Sequence, residues 1–466
     1  MNIWELDATQ IAAGVRSGQF SAEEVAIDVL HRVEAVNPSL NAIVESSAER
    51  TIDAARAVDE ALAAGAEPGV LAGVPLTIKV VADEAGWATT NGVRLQQKQI
   101  AAQDNPLVFH LKAAGGVSIG RTNTPAFSLR WFTSNRLYGT TRNPHNIALT
   151  PGGSSGGASA AVAAGLGAIA HGTDIAGSVR YPAYACGVHG LRPTPGRISY
   201  FNATAPARGI GQQFMSVSGP IARSVADLRL ALGVMAQGDV RDPTWVPAPF
   251  EGPQVPRHAA LCTHPAGLNT HPRIVRALED AARRLRERGW QVTQVENVPP
   301  LREASVEHIY LWMGDGFDSR MAKALKEEDP GALATLRGQR ELVANMDVAR
   351  FSEALTRRLS MLREWQLFFD RYPVLLMPVS SELPFPDELD AKDEPSYRRV
   401  WEAQIPLIGT AFVGLPGVTV ATGVEECVPV GVQVLAGRFR EDLCLKAAAD
   451  IEADGFKPRV VTPEFV

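Results

Sequence analysis

Three hydroxyls set in glycine are the residues best suited to chemistry. Ser154 and Ser155 lie in the run PGGSSGG (residues 151–157), and Ser178 ends the run GTDIAGS (residues 172–178). Glycine admits positive φ and close backbone approach at an entropic cost. Glycine on both sides of the serines therefore exposes backbone N–H groups beside candidate nucleophiles. Upstream, LAGVPLTIKVVAD (residues 71–83) carries one cation, Lys79, inside an apolar strand pattern. Leu76, Ile78 and Val80 share one face of that strand, and Thr77, Lys79 and Val81 share the other. A serine needs a base to take its proton, and serine–lysine arrangements can serve as serine–histidine ones do. A lysine is a base only when neutral, and burial lowers its pKa from about 10.4.

Each feature has a plainer explanation. Lys79 could be a solvated head snorkelling from a strand end. The glycine–serine run could be a flexible linker, but it leads straight into AAVAAGLGAIA (residues 160–170), which has to be buried. It could also be a turn into a buried helix with Ser154 or Ser155 as its cap, which is compatible with catalysis.

Other chemistries fit the serines less well. Gly153-Ser154-Ser155-Gly156-Gly157 matches the G-x-S-x-G nucleophile elbow, which would make Ser155 the nucleophile of an α/β-hydrolase-type esterase. The residues before it, NPHNIALTPG, read as loop rather than as the required strand. A phosphate-binding P-loop needs lysine after its last glycine, where Gly157 is followed by Ala158. His171, Asp174 and Ser178 are too close along one strand and loop to converge as a triad. Cys262, His264 and His271 have no evident fourth ligand, so neither metal nor cofactor is expected.

The 466 residues can bury a large core. At 45% hydrophobic and 21% charged residues the chain is that of an ordinary globular protein. The net charge of −6, with no basic run, gives no nucleic-acid surface. Four scattered cysteines with no C-x-x-C pair fit a reducing compartment. The first residues, MNIWELDATQ, do not form a signal peptide, and no uncharged apolar run approaches ~20 residues. The expectation is a cytoplasmic protein that does not enter a membrane.

The elements that must position these residues alternate between strand and helix, which predicts a layered α/β architecture. Residues 6–65 read as helices, with Ser21 opening a capping box. Residues 106–122 read as helix then strand, and Ser224 caps a helix over 225–236. Beyond a proline-rich connection at 242–256, a β–α–β pattern spans 257–295. Helices fill 302–371, and strands follow at 374–377, 416–422 and 430–435 before a last helix at 441–452. The expected organisation is one domain over 1–466. It comprises a helical part (1–65), a glycine–serine core (66–240) and a C-terminal half (257–466) with a helical insertion at about 302–371.

The motifs together resemble the amidase signature family of serine hydrolases. That family's GGSSGGS…GTDxGGSIRxPA stretch is matched by residues 152–159 and 172–183, and its G-V-P…K strand by residues 73–79. TNTPAF (122–127), GTTRNPHN (139–146), GLRPTPGRIS (190–199), GPIARSVADL (219–228) and GLPGVTV (414–420) are similar to its flanking elements. The resemblance implies a large mixed, twisted β-sheet covered by helices on both faces. It also implies a Ser–cis-Ser–Lys triad in which Ser178 is the nucleophile, Ser154 the bridging cis-peptide serine and Lys79 the base. By the same resemblance Ile175, Ala176, Gly177 and Ser178 supply the oxyanion hole, supported by Ser155, Thr173, Asp174 and Arg180. Trp131, Phe132, Gly152 and Gly153 are the candidate substrate-binding residues.

Three positions depart from the family pattern. Val80 stands where an aspartate usually follows the lysine, Ala176 replaces an oxyanion-loop glycine, and Ala126 replaces an acidic residue. Ala176 would be strained if its position required positive φ. None of the three removes a triad residue. The expected activity is hydrolysis of a carboxylic amide through an acyl-enzyme, with apolar or aryl amides and carbamates (urethanes) as substrates. Residues 126–138, 200–215 and 302–350 are expected to shape the pockets, and a homodimer is left open. The alternatives are a glutamine-hydrolysing subunit of a tRNA-dependent amidotransferase and a non-catalytic binding protein, against which the intact Lys79, Ser154 and Ser178 argue.

Overall fold

A computed structural model describes residues 2–205, 207–314 and 316–464. Its strands, in chain order, are β1 (Ile43–Glu45), β2 (Pro75–Lys79), β3 (Val117–Thr122), the two-residue pair β4 (Ser134–Asn135) and β5 (Gly139–Thr140), β6 (Ile169–Asp174), β7 (His189–Arg192), β8 (Val217–Ala222), β9 (His258–Leu261), β10 (Gln291–Gln294), β11 (Val374–Pro378), β12 (Gly417–Glu425) and β13 (Val428–Ala436). All but β4 and β5 form one sheet of eleven strands in the order β1-β3-β2-β6-β8-β7-β12-β13-β11-β9-β10. β2 runs parallel to both β3 and β6, β9 runs parallel to β10 and β11, and the remaining pairs are antiparallel. The expected mixed α/β sheet is present. Alternate side chains of a strand face opposite sides, and all five residues of β2 and of β11 are buried, so both faces are covered at these strands.

The sheet crosses the proline-rich connection at the antiparallel contact of β7 with β12, where Leu191 pairs with Val418. The β–α–β pattern beyond it forms as expected, with β9, the helix Pro272–Glu287 and β10 making a parallel pair. The 302–371 segment divides into four helices, Arg302–Met313, Phe317–Glu327, Pro330–Glu341 and Val348–Arg371. Ser21 and Ser224 cap their helices as predicted, accepting from the Glu24 and Asp227 N–H groups.

Three expectations change. The segment 6–65, read as helices, also holds β1, which pairs antiparallel with β3. The strand read over residues 71–83 is limited to Pro75–Lys79, so Lys79 is its last residue rather than a mid-strand one. Ser155 occupies the N-cap position of the helix Gly156–Ala163, but its side chain makes no capping bond. That hydroxyl is engaged elsewhere.

Candidate active site

β2 and β6 are adjacent parallel strands, and their carboxyl ends deliver Lys79 and Thr173-Asp174 to one place. The crevice outside such strand ends is where open α/β sheets bind ligands. Lys79 is fully buried, which removes the snorkelling explanation. Its Nζ lies 2.7 Å from Ser154 Oγ, 2.9 Å from Thr173 Oγ1 and 3.2 Å from Ser155 Oγ. Burial pushes the Lys79 ammonium well below its ordinary pKa, and the charge of Asp174 opposes this only in part. Val80, in place of the family's aspartate, is itself fully buried and adds no second carboxylate.

The Gly153–Ser154 peptide bond is cis. A side chain at 153 has no room, because a Cβ there would lie 2.5 Å from both the Arg130 carbonyl oxygen and the Phe132 nitrogen. Ser155 Oγ accepts from the Thr173 N–H at 3.2 Å as well as from Lys79, and its backbone N–H donates to the Ser178 carbonyl at 3.1 Å. It is fully buried and does not line the cleft that Ser154 and Ser178 share. The geometry therefore gives the nucleophile-elbow reading of Ser155 no access to substrate.

Asp174 organises the loop that bears Ser178. Its Oδ1 accepts from the Gly177 N–H at 2.8 Å, and its Oδ2 from the Val179 N–H at 3.2 Å. Arg180 forms a bidentate pair with it, both contacts at 3.0 Å, and Arg192 Nη1 lies 3.1 Å from Oδ1. Burial would raise this carboxyl, but the two guanidinium groups hold it well below the usual carboxylate range. The Gly177 N–H is thus committed to Asp174, which corrects its expected place in the oxyanion hole. The N–H groups of Ile175, Ala176 and Ser178 have no backbone or side-chain acceptor among the described residues. Positive φ falls on Gly177 (+103°) and not on Ala176, so the alanine carries no strain.

Ser178 is 5% exposed and opens on a cleft of about 550 Å³ that Ser154 and Thr173 also line. Phe127, Tyr200, Phe201 and Trp312 give the cleft aromatic walls, drawn from the three segments expected to shape it. A narrow slot beside Ser178 is lined by Trp131, Trp312, Trp401 and Gln339. Trp131 Nε1 donates to the Ala176 carbonyl at 2.9 Å, so this indole braces the loop as well as walling the slot.

The family model described as Amidase matches residues 24–445. The chain belongs to the amidase signature family. An indoleacetamide hydrolase from Bradyrhizobium diazoefficiens is 42% identical to it over 454 residues, covering 97% of this chain and 86% of that protein. A glutamyl-tRNA(Gln) amidotransferase component from Chromohalobacter salexigens is 32% identical over 476 residues, covering 94% of each. The crystal structure of a bacterial aryl acylamidase of the amidase signature family superposes with a TM-score of 0.84 at 26% identity, covering 97% of both chains. As a member of this family the protein is a hydrolase of amide C–N bonds, and the glutamine-hydrolysing alternative is the weaker reading.

Several candidates lie elsewhere in this amidase fold. Phe132 is fully buried and stacks on Phe385 at 6.2 Å between ring centroids, away from the cleft. Gly152 and Gly153 are also buried and line neither cavity beside Ser178, because Pro182 and the 130–132 backbone cover them. His171 turns to Ser218 Oγ at 3.1 Å, with burial lowering its pKa to about 3. His271 Nδ1 caps its helix by accepting from the Arg273 N–H, and His264 Nδ1 lies 2.9 Å from Thr263 Oγ1. Among the described residues no cluster of three or more His, Cys, Asp or Glu could hold a metal ion, and no helix is long and apolar enough to cross a membrane. Sequence reasoning missed His308 as a site residue. It is fully buried, and its Nε2 lies 2.9 Å from the Ile175 carbonyl oxygen.

Proposed function

We propose that the protein hydrolyses amides through an acyl-enzyme on Ser178, with Ser154 as proton bridge and Lys79 as base. The observation that carries this reading is the 2.7 Å contact of Lys79 Nζ with Ser154 Oγ at a fully buried lysine. Burial favours the neutral amine. In that state its two N–H groups serve Ser155 and Thr173, and the lone pair accepts from the Ser154 hydroxyl.

Ser178 Oγ attacks the scissile carbonyl while Ser154 takes its proton and passes its own to Lys79. The N–H groups of Ile175, Ala176 and Ser178 stabilise the oxyanion that develops. As the C–N bond breaks, Ser154 donates a proton to the departing nitrogen and recovers one from Lys79. Water then gives a proton to the same relay, attacks the ester and releases the acid. These steps need no metal or cofactor. With a carbamate the intermediate is an alkoxycarbonyl-enzyme, cleared by water in the same way.

Apolar or aryl amides and aryl carbamates are the substrate class we favour. The aromatic walls of the cleft support this, as do relatives named for indoleacetamide hydrolysis and aryl acylamidase activity. A cytoplasmic setting is part of the proposal, in keeping with four free cysteines. The test is amine release from arylacetamides, anilides and aryl carbamates, measured beside Ser178→Ala. Release that disappears in the variant is expected. Turnover that persists in Ser178→Ala and is lost in Ser155→Ala would overturn the assignment.

A further inference from the structure

The charged side chains that face the cleft are Arg208, Arg241 and Asp242. Two of the three are already committed. Asp242 Oδ1 accepts from the Thr244 N–H at 2.8 Å and from its hydroxyl at 2.6 Å, and Oδ2 accepts from the Tyr200 N–H at 2.8 Å. Arg241 pairs with Asp239 through Nε at 2.9 Å and Nη2 at 2.8 Å, and its Nη1 donates to Gln103 Oε1 at 2.9 Å.

Arg208 differs. Among the described residues it has no carboxylate partner, and its hydrogen bonds are long: Nη1 to the Ser216 carbonyl and Nη2 to Thr244 Oγ1, both at 3.4 Å. Several buried arginines elsewhere in this chain are paired with carboxylates, Arg130 with Asp390, Arg180 and Arg192 with Asp174, and Arg197 with Glu441. Arg32 and Arg358, which lack one among the described residues, each make a hydrogen bond of 3.0 Å or shorter to a backbone carbonyl. The Arg208 guanidinium is nevertheless held in place, its central carbon 5.2 Å from the centroid of the Tyr200 ring. Tyr200 is fixed in turn by its hydroxyl, which donates to the Val81 carbonyl at 3.1 Å. The result is a positioned, half-buried cation with donors to spare, and it is the one uncommitted formal charge on the cleft wall among the described residues.

We propose that Arg208 recognises an anionic oxygen group, such as a carboxylate, carried by the substrate away from its scissile amide. The preferred substrates are then aryl amides that bear a second, negatively charged end. A guanidinium fork matches a carboxylate with two parallel hydrogen bonds, and the Tyr200 ring limits the rotamers lost on binding. Arg208 is a specificity-determining residue in this account and takes no part in proton transfer. The inference rests on the assignment of this cleft to substrate.

The test compares phenylacetamide with 4-carboxyphenylacetamide, which differ by one remote carboxylate. Binding of each is measured by calorimetry on the Ser178→Ala protein at low salt, with and without Arg208→Gln, and unchanged thermal melting shows that the variants are folded. Turnover of the same two amides by the wild-type protein reads the hydrolysis assignment separately. The carboxylated amide should bind at least about tenfold more tightly, the order expected for a hydrogen bond to a charged group. That preference should vanish in Arg208→Gln, survive in part in Arg208→Lys and weaken as salt is added. Equal affinity, no affinity for either amide, or a preference that survives Arg208→Gln overturns the proposal.

Discussion

His308 Nε2 donates to the carbonyl oxygen of Ile175 at 2.9 Å, tying the helix Arg302–Met313 to the loop that carries Ser178. The acceptor is a carbonyl, so a proton sits on Nε2. Burial favours the neutral ring by lowering its pKa to about 4. His308→Ala removes the hydrogen bond to a part-buried carbonyl, at a cost of about 0.5–1.5 kcal/mol. It should depress kcat more than it changes KM, because the loop it releases carries the proposed oxyanion donors. His308→Gln, which can still donate, should recover part of the loss in steady-state kinetics.

The same histidine gives a stability prediction. Its folded pKa of about 4 lies below the ordinary 6.5, so the unfolded chain binds more protons between these values. Its contribution is therefore complete above about pH 6.5 and lost as pH falls towards 4, amounting to about 3 kcal/mol. His171, lowered to about 3, acts in the same direction. Urea midpoints measured from pH 7 to 4 should fall through this window, and His308→Gln should flatten the decline.

Gly177 and Ala176 make a matched pair of controls. Gly177 has φ +103°, and a Cβ there would lie 2.6 Å from the Leu407 side chain. Gly177→Ala should therefore lower the melting temperature and cost about 1–3 kcal/mol or more. Ala176→Gly, which restores the family residue at a position without positive φ, should change kcat/KM by less than about twofold and slightly destabilise the fold.

In the proposed mechanism Lys79 sets the pH dependence of the reaction. It must be neutral to act, and burial lowers its pKa well below 10.5. kcat/KM should rise with pH along a limb that belongs to Lys79 and reach its plateau below pH 10.5. Lys79→Met should remove that limb and lower the rate by about 10²–10⁴, the range of general-base catalysis. A rate that falls as pH rises through that limb would contradict a neutral lysine.

How much of this was legible in the sequence differs by element. The glycine–serine runs and Lys79 announced the site because a lone cation in an apolar strand and hydroxyls set in glycine are locally unusual. The late hairpin β12–β13 and the β9-helix-β10 unit were readable from apolar runs and turn residues. β7 and β8 were not, since they lie in Gly- and Pro-punctuated segments and become strands only by pairing with each other and with β6 and β12. Contacts between distant segments were equally invisible. Nothing local in the sequence places His308 on Ile175, commits the Gly177 N–H to Asp174, or stacks Arg208 on Tyr200. Phe132 looked like a pocket residue because it follows Trp131, yet the chain turns one ring to the slot and the other to Phe385.

In the proposed mechanism the acyl group passes through Ser178 Oγ. That is read by peptide mapping with mass spectrometry after the protein is mixed with a slowly cleared alkyl N-arylcarbamate, whose aniline is the leaving group, and quenched in acid. An alkoxycarbonyl adduct is expected on the peptide containing Ser178, absent from Ser178→Ala and formed far more slowly in Lys79→Met. An adduct on Ser155, or turnover with Ser178 unmodified, would contradict it.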